Sequence, residues 1–140
     1  TGWKDLGGPE EKIEIVGRDS ASGTRELFFE KVLNKEDFTK FMLEKNSNGA
    51  IQQYVSQTPA SIGYVGMVFE DGVKVIEMKG DDGKTQKPSV EGIKAGSYPL
   101  SRSLFFVSDG EPEGIAKEFI DFLLSPDGQK IVEEQGFVTL

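Results

Sequence analysis

Apolar residues fall into short runs and short helical stripes along this chain, separated by clusters of Gly, Ser, Asn, Asp and Pro. Ile13, Ile15 and Val16 form a strand-like run, and Leu27, Phe28 and Val32 form the stripe of a helix over residues 24–33. Asn34-Lys35-Glu36-Asp37 punctuates the chain, after which Phe38, Phe41 and Met42 recur at i, i+3, i+4 and predict a second short amphipathic helix. Ile51, Tyr54 and Val55 predict a third helix, opened by the break at residues 46–49 and ended by Pro59. Residues 62–69 predict a strand, Asp71-Gly72 a turn and residues 73–78 the returning strand, so residues 67–78 read as a hairpin. Gly80 to Lys84 is a polar loop. Ser89 is placed to cap a short helix that reaches Ala95 and stops at Gly96. Residues 100–107 predict another strand, and residues 112–124 and 127–135 a terminal helical pair broken at Ser125-Pro126. Strands alternating with helices predict an α/β fold. There is no internal repeat and no low-complexity linker.

The junction between the first strand and the first helix concentrates anion-binding groups. Ser20, Ser22, Gly23 and Thr24 place no bulky side chain there, and Arg18 stands at the strand end. A helix N-terminus exposes unpaired N–H groups carrying about half a positive charge, which suits a tetrahedral oxyanion. Ser22 and Thr24 add hydroxyls, Gly23 permits close approach of the main chain, and Arg18 adds a planar guanidinium fork. A plainer reading stands beside this one. Ser and Thr are common helix caps, and Arg18 suits a solvated strand end equally well. Asp19, next to Arg18, is placed either to orient its guanidinium or to face solvent, and the orienting role is the slightly favoured expectation.

Composition narrows the partners. At 140 residues the chain suits one domain with a real core. Hydrophobic residues make up 36% and charged residues 29%, and no apolar run approaches the ~20 residues that span a bilayer. The net charge of −8 argues against nucleic acid, whose phosphates reward basic patches. With neither His nor Cys, Ser–His–Asp and Cys–His catalysis and the usual zinc ligand sets are excluded. No Ser-x-x-Lys occurs, and the turn at residues 17–24 lacks the Lys of a nucleotide-binding loop. The 24 carboxylates show no spacing that points to a carboxylate-pair hydrolase. Asp81-Asp82 resembles a calcium loop only superficially, because alternate oxygen ligands and a terminal Glu are missing. Tyr64 and the Phe28-Phe29, Phe105-Phe106 and Phe119/Phe122 sets read as packing faces, and Arg102 is left outside the site.

The run Arg18-x-x-x-Ser22-Gly23-Thr24 resembles a signature of the extracytoplasmic phosphate-binding proteins of phosphate ABC transporters, the PstS family. In that family the Arg, the Ser, the Gly N–H and the Thr grip one side of the phosphate. The resemblance therefore implies Arg18, Ser22, Gly23 and Thr24 as phosphate ligands here. Ala21 stands where many members have a second Gly, which alters loop freedom but removes no donor. The resemblance continues through Gly2-Trp3-Lys4-Asp5-Leu6-Gly7-Gly8-Pro9, the stretch from Asn48-Gly49-Ala50-Ile51 to Val55, and Ser61-Ile62-Gly63-Tyr64-Val65. It then takes in Tyr98-Pro99-Leu100-Ser101-Arg102 and the ending from Phe119 to Gln129.

By that resemblance the expected fold is one lobe, with a C-terminal returning segment, of a two-lobed type II periplasmic-binding-protein fold, a mixed sheet flanked by helices. Residues 1–97 are expected to form the second, ligand-binding lobe, incomplete at its N-terminus. Residues 98–140 would be the returning strand and C-terminal helices that pack on a first lobe missing from this chain. The missing lobe would supply the rest of the phosphate shell, including the carboxylate that accepts a hydrogen bond from a protonated phosphate and so rejects sulfate. Without it the strand over residues 100–107 would expose an edge, and the Ile115/Phe119/Phe122/Leu123 face would repack, dimerise or swap. The implied function is a solute-binding protein outside the cytoplasm that hands inorganic phosphate to an ABC permease in the membrane, with lipid anchoring left open. No enzymatic activity, cofactor or metal is expected. The alternative is a phosphate-binding-protein-like sensor or protein-interaction domain, and a hydrolase on the same fold finds least support.

Overall fold

The structure, a computed structural model, describes residues 2–80 and 83–140. The Asp81-Asp82 pair discussed above lies outside the described residues. Contacts divide the chain into two compact units, Thr1–Met78 and Lys79–Leu140. This division falls earlier in the chain than the lobe boundary implied by the resemblance.

The first unit is built on a three-stranded sheet. β1 (Glu14–Arg18) lies at the centre, β2 (Leu43–Lys45) on one side and β3 (Ser61–Gly63) on the other, all parallel. Val16 pairs with Leu43 on one flank and Gly63 on the other. Parallel neighbours need crossovers, supplied by α1 (Gly23–Lys31) between β1 and β2 and α2 (Asn48–Gln57) between β2 and β3. Each helix begins at a serine cap. The Ser22 Oγ accepts the Arg25 N–H at 3.3 Å, and the Ser47 Oγ accepts the Ala50 N–H at 3.2 Å.

Strand alternation decides which helix covers which face. Val16, fully buried, points to the face where Ile51 of α2 is also buried. Gly63 makes that approach possible: a Cβ there would stand 2.8 Å from the Val16 carbonyl oxygen and 2.9 Å from Ile51 Cγ2. Gly17 faces the opposite side, where Arg25 of α1 bonds Glu44, the β2 partner of Gly17. On that side Phe28 stacks on Tyr64 with centroids 4.4 Å apart, and Phe38 lies against both rings. The two helices therefore sit on opposite faces of the sheet.

In the second unit β4 (Met78–Lys79) pairs with β5 (Thr85–Gln86), followed by α3 (Val90–Lys94), α4 (Gly114–Leu124) and α5 (Pro126–Glu134). α3 has its predicted cap at Ser89, whose Oγ accepts the Gly92 N–H, and Gly96 follows with φ +66°. The α4–α5 break falls at Ser125-Pro126 as expected. Pro126 occupies the first turn of α5 and the Ser125 Oγ accepts the Gly128 N–H.

Three expected elements do not form and a fourth is cut short. Residues 36–42 are non-helical, because their periodicity spans barely one turn, too little to offset helix nucleation. Phe38 packs instead on Phe28, Phe29 and Tyr64, and the chain enters β2 directly. The strand expected over residues 62–69 stops at Gly63, and Met67–Phe69 is a 3-10 turn. Beyond Val16, the Arg18 N–H donates to the Tyr64 hydroxyl at 3.1 Å in place of a ladder carbonyl. The proposed return over residues 73–77 is irregular, and β4 pairs with β5 rather than closing a 67–78 hairpin. Residues 102–107 form no strand ladder, and Phe105 is 84% and Val107 95% exposed.

Candidate functional site

Parallel strands place the starts of both α1 and α2 at the carboxyl edge of the sheet, the usual seat of ligands in α/β folds. β1 ends there at Arg18, and a tight turn leads into α1. Asp19 builds that turn. Its N–H donates to the Lys45 carbonyl, its carboxylate accepts the Ala21 N–H at 3.2 Å, and its carbonyl accepts the Ser22 N–H at 3.3 Å. The carboxylate is thus engaged with the turn backbone, and the expected orienting role toward Arg18 is not what it performs.

Ser22 is 7% exposed and its hydroxyl oxygen caps α1, so the plain capping reading is correct as local geometry. That role does not use up the group, because the hydroxyl hydrogen can still donate. Gly23 and Thr24 are the first two residues of the helix, where an N–H has no intrahelical acceptor. Among the described residues no acceptor is bonded to either N–H. Both N–H groups at the start of α1 are therefore unpaired within the described residues.

Arg18 is held at three points. Its N–H donates to the Tyr64 hydroxyl at 3.1 Å, and its carbonyl accepts from Arg25 Nη1 at 2.6 Å. Its own Nη1 donates to Asn48 Oδ1, at the start of α2, at 3.5 Å. Strand alternation explains that aim, since Arg18 shares the α2 face with Val16. Arg18 Nε is shielded from solvent and has no hydrogen-bond partner among the described residues. No hydrogen bond joins the Arg18 head to Ser22, Gly23 or Thr24.

Supporting groups come from the aromatic face. Arg25 also pairs with Glu44 at 2.5 Å and lies over the Phe38 ring, 4.5 Å from its centroid. Tyr64 packs on Phe28 as expected, and its hydroxyl reaches the Arg18 backbone because Gly17 leaves room: a Cβ at Gly17 would stand 3.0 Å from that oxygen. Burial pushes the Tyr64 hydroxyl above its usual pKa, and the Arg18 N–H, which favours the anion, offsets part of the rise. Asn48, Tyr64 and Arg25 were missed as partners of Arg18. Asn48 and Tyr64 lie 30 and 46 residues from it, and no motif spacing connects them.

Among the described residues no group of three or more His, Cys, Asp or Glu could hold a metal ion. No described helix is long and apolar enough to cross a membrane.

A family model described as a PBP superfamily domain matches residues 1–127. The phosphate-binding protein PstS of Bacillus subtilis is 35% identical over 137 residues, covering 97% of this chain and 44% of that protein. PstS of Borreliella burgdorferi is 34% identical over 149 residues, covering 97% of this chain and 52% of its own length. The chain thus spans about half the length of the curated relatives it matches. Among solved structures, a proposed phosphate ABC transporter substrate-binding protein from Clostridium perfringens, with bound phosphate, superposes with a TM-score of 0.79 at 32% identity. That match covers 100% of this chain and 57% of the other.

Proposed function

We propose a function from a plain premise: the chain belongs to the PBP superfamily domain family, which matches it over residues 1–127. The chain binds inorganic phosphate at the β1–α1 junction, as one wall of an extracytoplasmic solute-binding protein that delivers phosphate to an ABC permease. The observation that carries this reading is the pair of unaccepted N–H groups at Gly23 and Thr24, beside an arginine whose Nε has no partner.

The roles follow from the chemistry of each group. Gly23 and Thr24 donate main-chain N–H bonds to phosphate oxygens, with the α1 dipole behind them. Ser22 donates its hydroxyl hydrogen outward while its oxygen remains the helix cap, and the Thr24 hydroxyl adds a further donor. Arg18 offsets one negative charge of the phosphate. The net charge of −8 does not defeat this, because surface charge is screened over about 8 Å in physiological salt. Charge-assisted hydrogen bonds at contact contribute about 1.5–3 kcal/mol each. The link to an ABC transporter is supported by the printed name of the Clostridium perfringens neighbour, and delivery to a permease and location outside the cytoplasm rest on the family resemblance.

The lobe assignment is part of the proposal. Residues 1–97 belong to the ligand-binding lobe, and residues 98–140 pack on the portion of the relatives that the match leaves uncovered. That portion supplies the remaining phosphate ligands, and its carboxylate excludes sulfate. Exposed Phe105 and Val107 also favour a second reading, a sensor or protein-interaction domain. Titration calorimetry with phosphate, sulfate and a nucleotide tests the first reading. Phosphate heat that is lost in Arg18→Ala supports it, whereas no phosphate binding together with a tight dimer supports the second.

A further inference from the structure

We propose that Asn48 is a positioning residue for the Arg18 guanidinium, aiming it without neutralising it. The inference rests on the reading of Arg18 as a phosphate ligand and adds a part of the site that the sequence motif does not contain. Tyr64 and Arg25 fix the Arg18 backbone by its N–H and carbonyl, and neither directs the side chain. Asn48 Oδ1 is the acceptor that the Arg18 head reaches.

Asn48 is not needed where it stands for helix capping, because the Ser47 Oγ already accepts the Ala50 N–H. Asn is also a poor residue for a helix interior, since its amide competes with the backbone. Its place in the first turn of α2 is accounted for by the contact with Arg18. The chemistry of the acceptor matters as well. A carboxylate would form an ion pair and cancel the charge offered to an arriving anion. A carboxamide oxygen accepts the N–H and leaves the guanidinium fully positive. The 3.5 Å separation fits a guide rather than a clamp, and the unpartnered Nε remains beside it.

The test uses the intact protein with Asn48→Ala and Asn48→Asp, and two readouts. The first is the 15N relaxation of the Arg18 Nε–H signal, assigned by its disappearance in Arg18→Lys and recorded without phosphate. The second is phosphate affinity. Asn48→Ala should broaden or average the Arg18 signal and weaken phosphate roughly two- to tenfold, with the thermal midpoint unchanged. Asn48→Asp should restore the ordered signal yet bind phosphate more weakly than wild type, because order returns while charge is cancelled. An Arg18 signal and an affinity both unchanged in Asn48→Ala would overturn the proposal. So would an Asn48→Asp protein that fails to order Arg18, which keeps the test decisive if the alanine variant folds poorly. If wild type binds no phosphate, the relaxation arm still decides the role of Asn48, and the functional reading alone falls.

Discussion

Arg18 shows how much a single residue depends on its neighbours. Its identity and its nearness to Ser22-Gly23-Thr24 are plain within seven residues of sequence, but the aim of its head is set by Asn48, at the start of α2. Replacing Arg18 with Ala should abolish phosphate-induced shifts of the Gly23 and Thr24 amides in NMR titration; unchanged shifts would remove both from the site. The proposed reading gives Ser22 two roles, cap and phosphate donor, that substitution can separate. Ser22→Ala should cost about 1 kcal/mol of stability, through the lost cap, and weaken phosphate as well. Ser22→Asp keeps a good cap but sets a carboxylate against the anion, so chemical denaturation should show near-native stability while calorimetry shows no phosphate heat.

Tyr64 adds a pH dependence whose sign follows from its raised pKa. Its ordinary value is 10.0, and burial lifts it in the folded state. Above pH 10 the unfolded chain loses this proton first, so folded stability is intact below that pH and falls as pH rises toward the folded value. Thermal melts between about pH 9 and 11 should fall less steeply in Tyr64→Phe than in wild type. Some slope should remain, since burial also raises Tyr98.

At the scale of elements, what could be read depended on whether an element satisfies itself locally. α1, α2 and α3 each begin at a serine whose oxygen accepts an N–H three residues on, so the signal and its structural consequence lie within one turn. The helix expected at Phe38, Phe41 and Met42 had periodicity without length. Phe38 and Met42 lie instead on the α1 face of the sheet, and Phe41 is exposed. β2, a Leu-Glu-Lys edge strand, carries no apolar pattern at all and exists because β1 offers it a ladder. The sheet is pinned to α2 chiefly through Val16 and Ile51, the two fully buried apolar side chains among the described residues. Ile51→Ala should therefore cost about 2–5 kcal/mol in urea unfolding. Because α2 also presents Asn48, the same variant should loosen Arg18 before it unfolds the chain.

The whole molecule puts a limit on affinity. The chain spans about half the length of its curated relatives, and the proposed reading gives it one wall of a phosphate shell. With about half the charge-assisted contacts, several kcal/mol are missing, and each 1.4 kcal/mol is a tenfold loss. Calorimetry on the 140 residues by themselves should find phosphate at about millimolar affinity or weaker; submicromolar binding by a monomer would contradict the one-wall picture. The apolar stretch at Leu104–Val107 and the exposed Ile115, Phe119 and Phe122 of α4 belong to this scale too. No local rule says what covers them, and their pattern misled the strand assignment because a strand without a partner forms no ladder.

The sequence by itself determined the caps, the helix breaks, the α/β alternation and the cluster of N–H and hydroxyl groups after the first strand. Each of these is satisfied by groups a few residues apart. Tertiary structure decided which extended segments became strands, which face each helix covers, and where the Arg18 head points. Those outcomes require partners outside the local turn, most distant for Asn48 and Tyr64, 30 and 46 residues from Arg18, whose arrival at the same sheet edge follows from parallel pairing and the close approach that Gly17 and Gly63 permit.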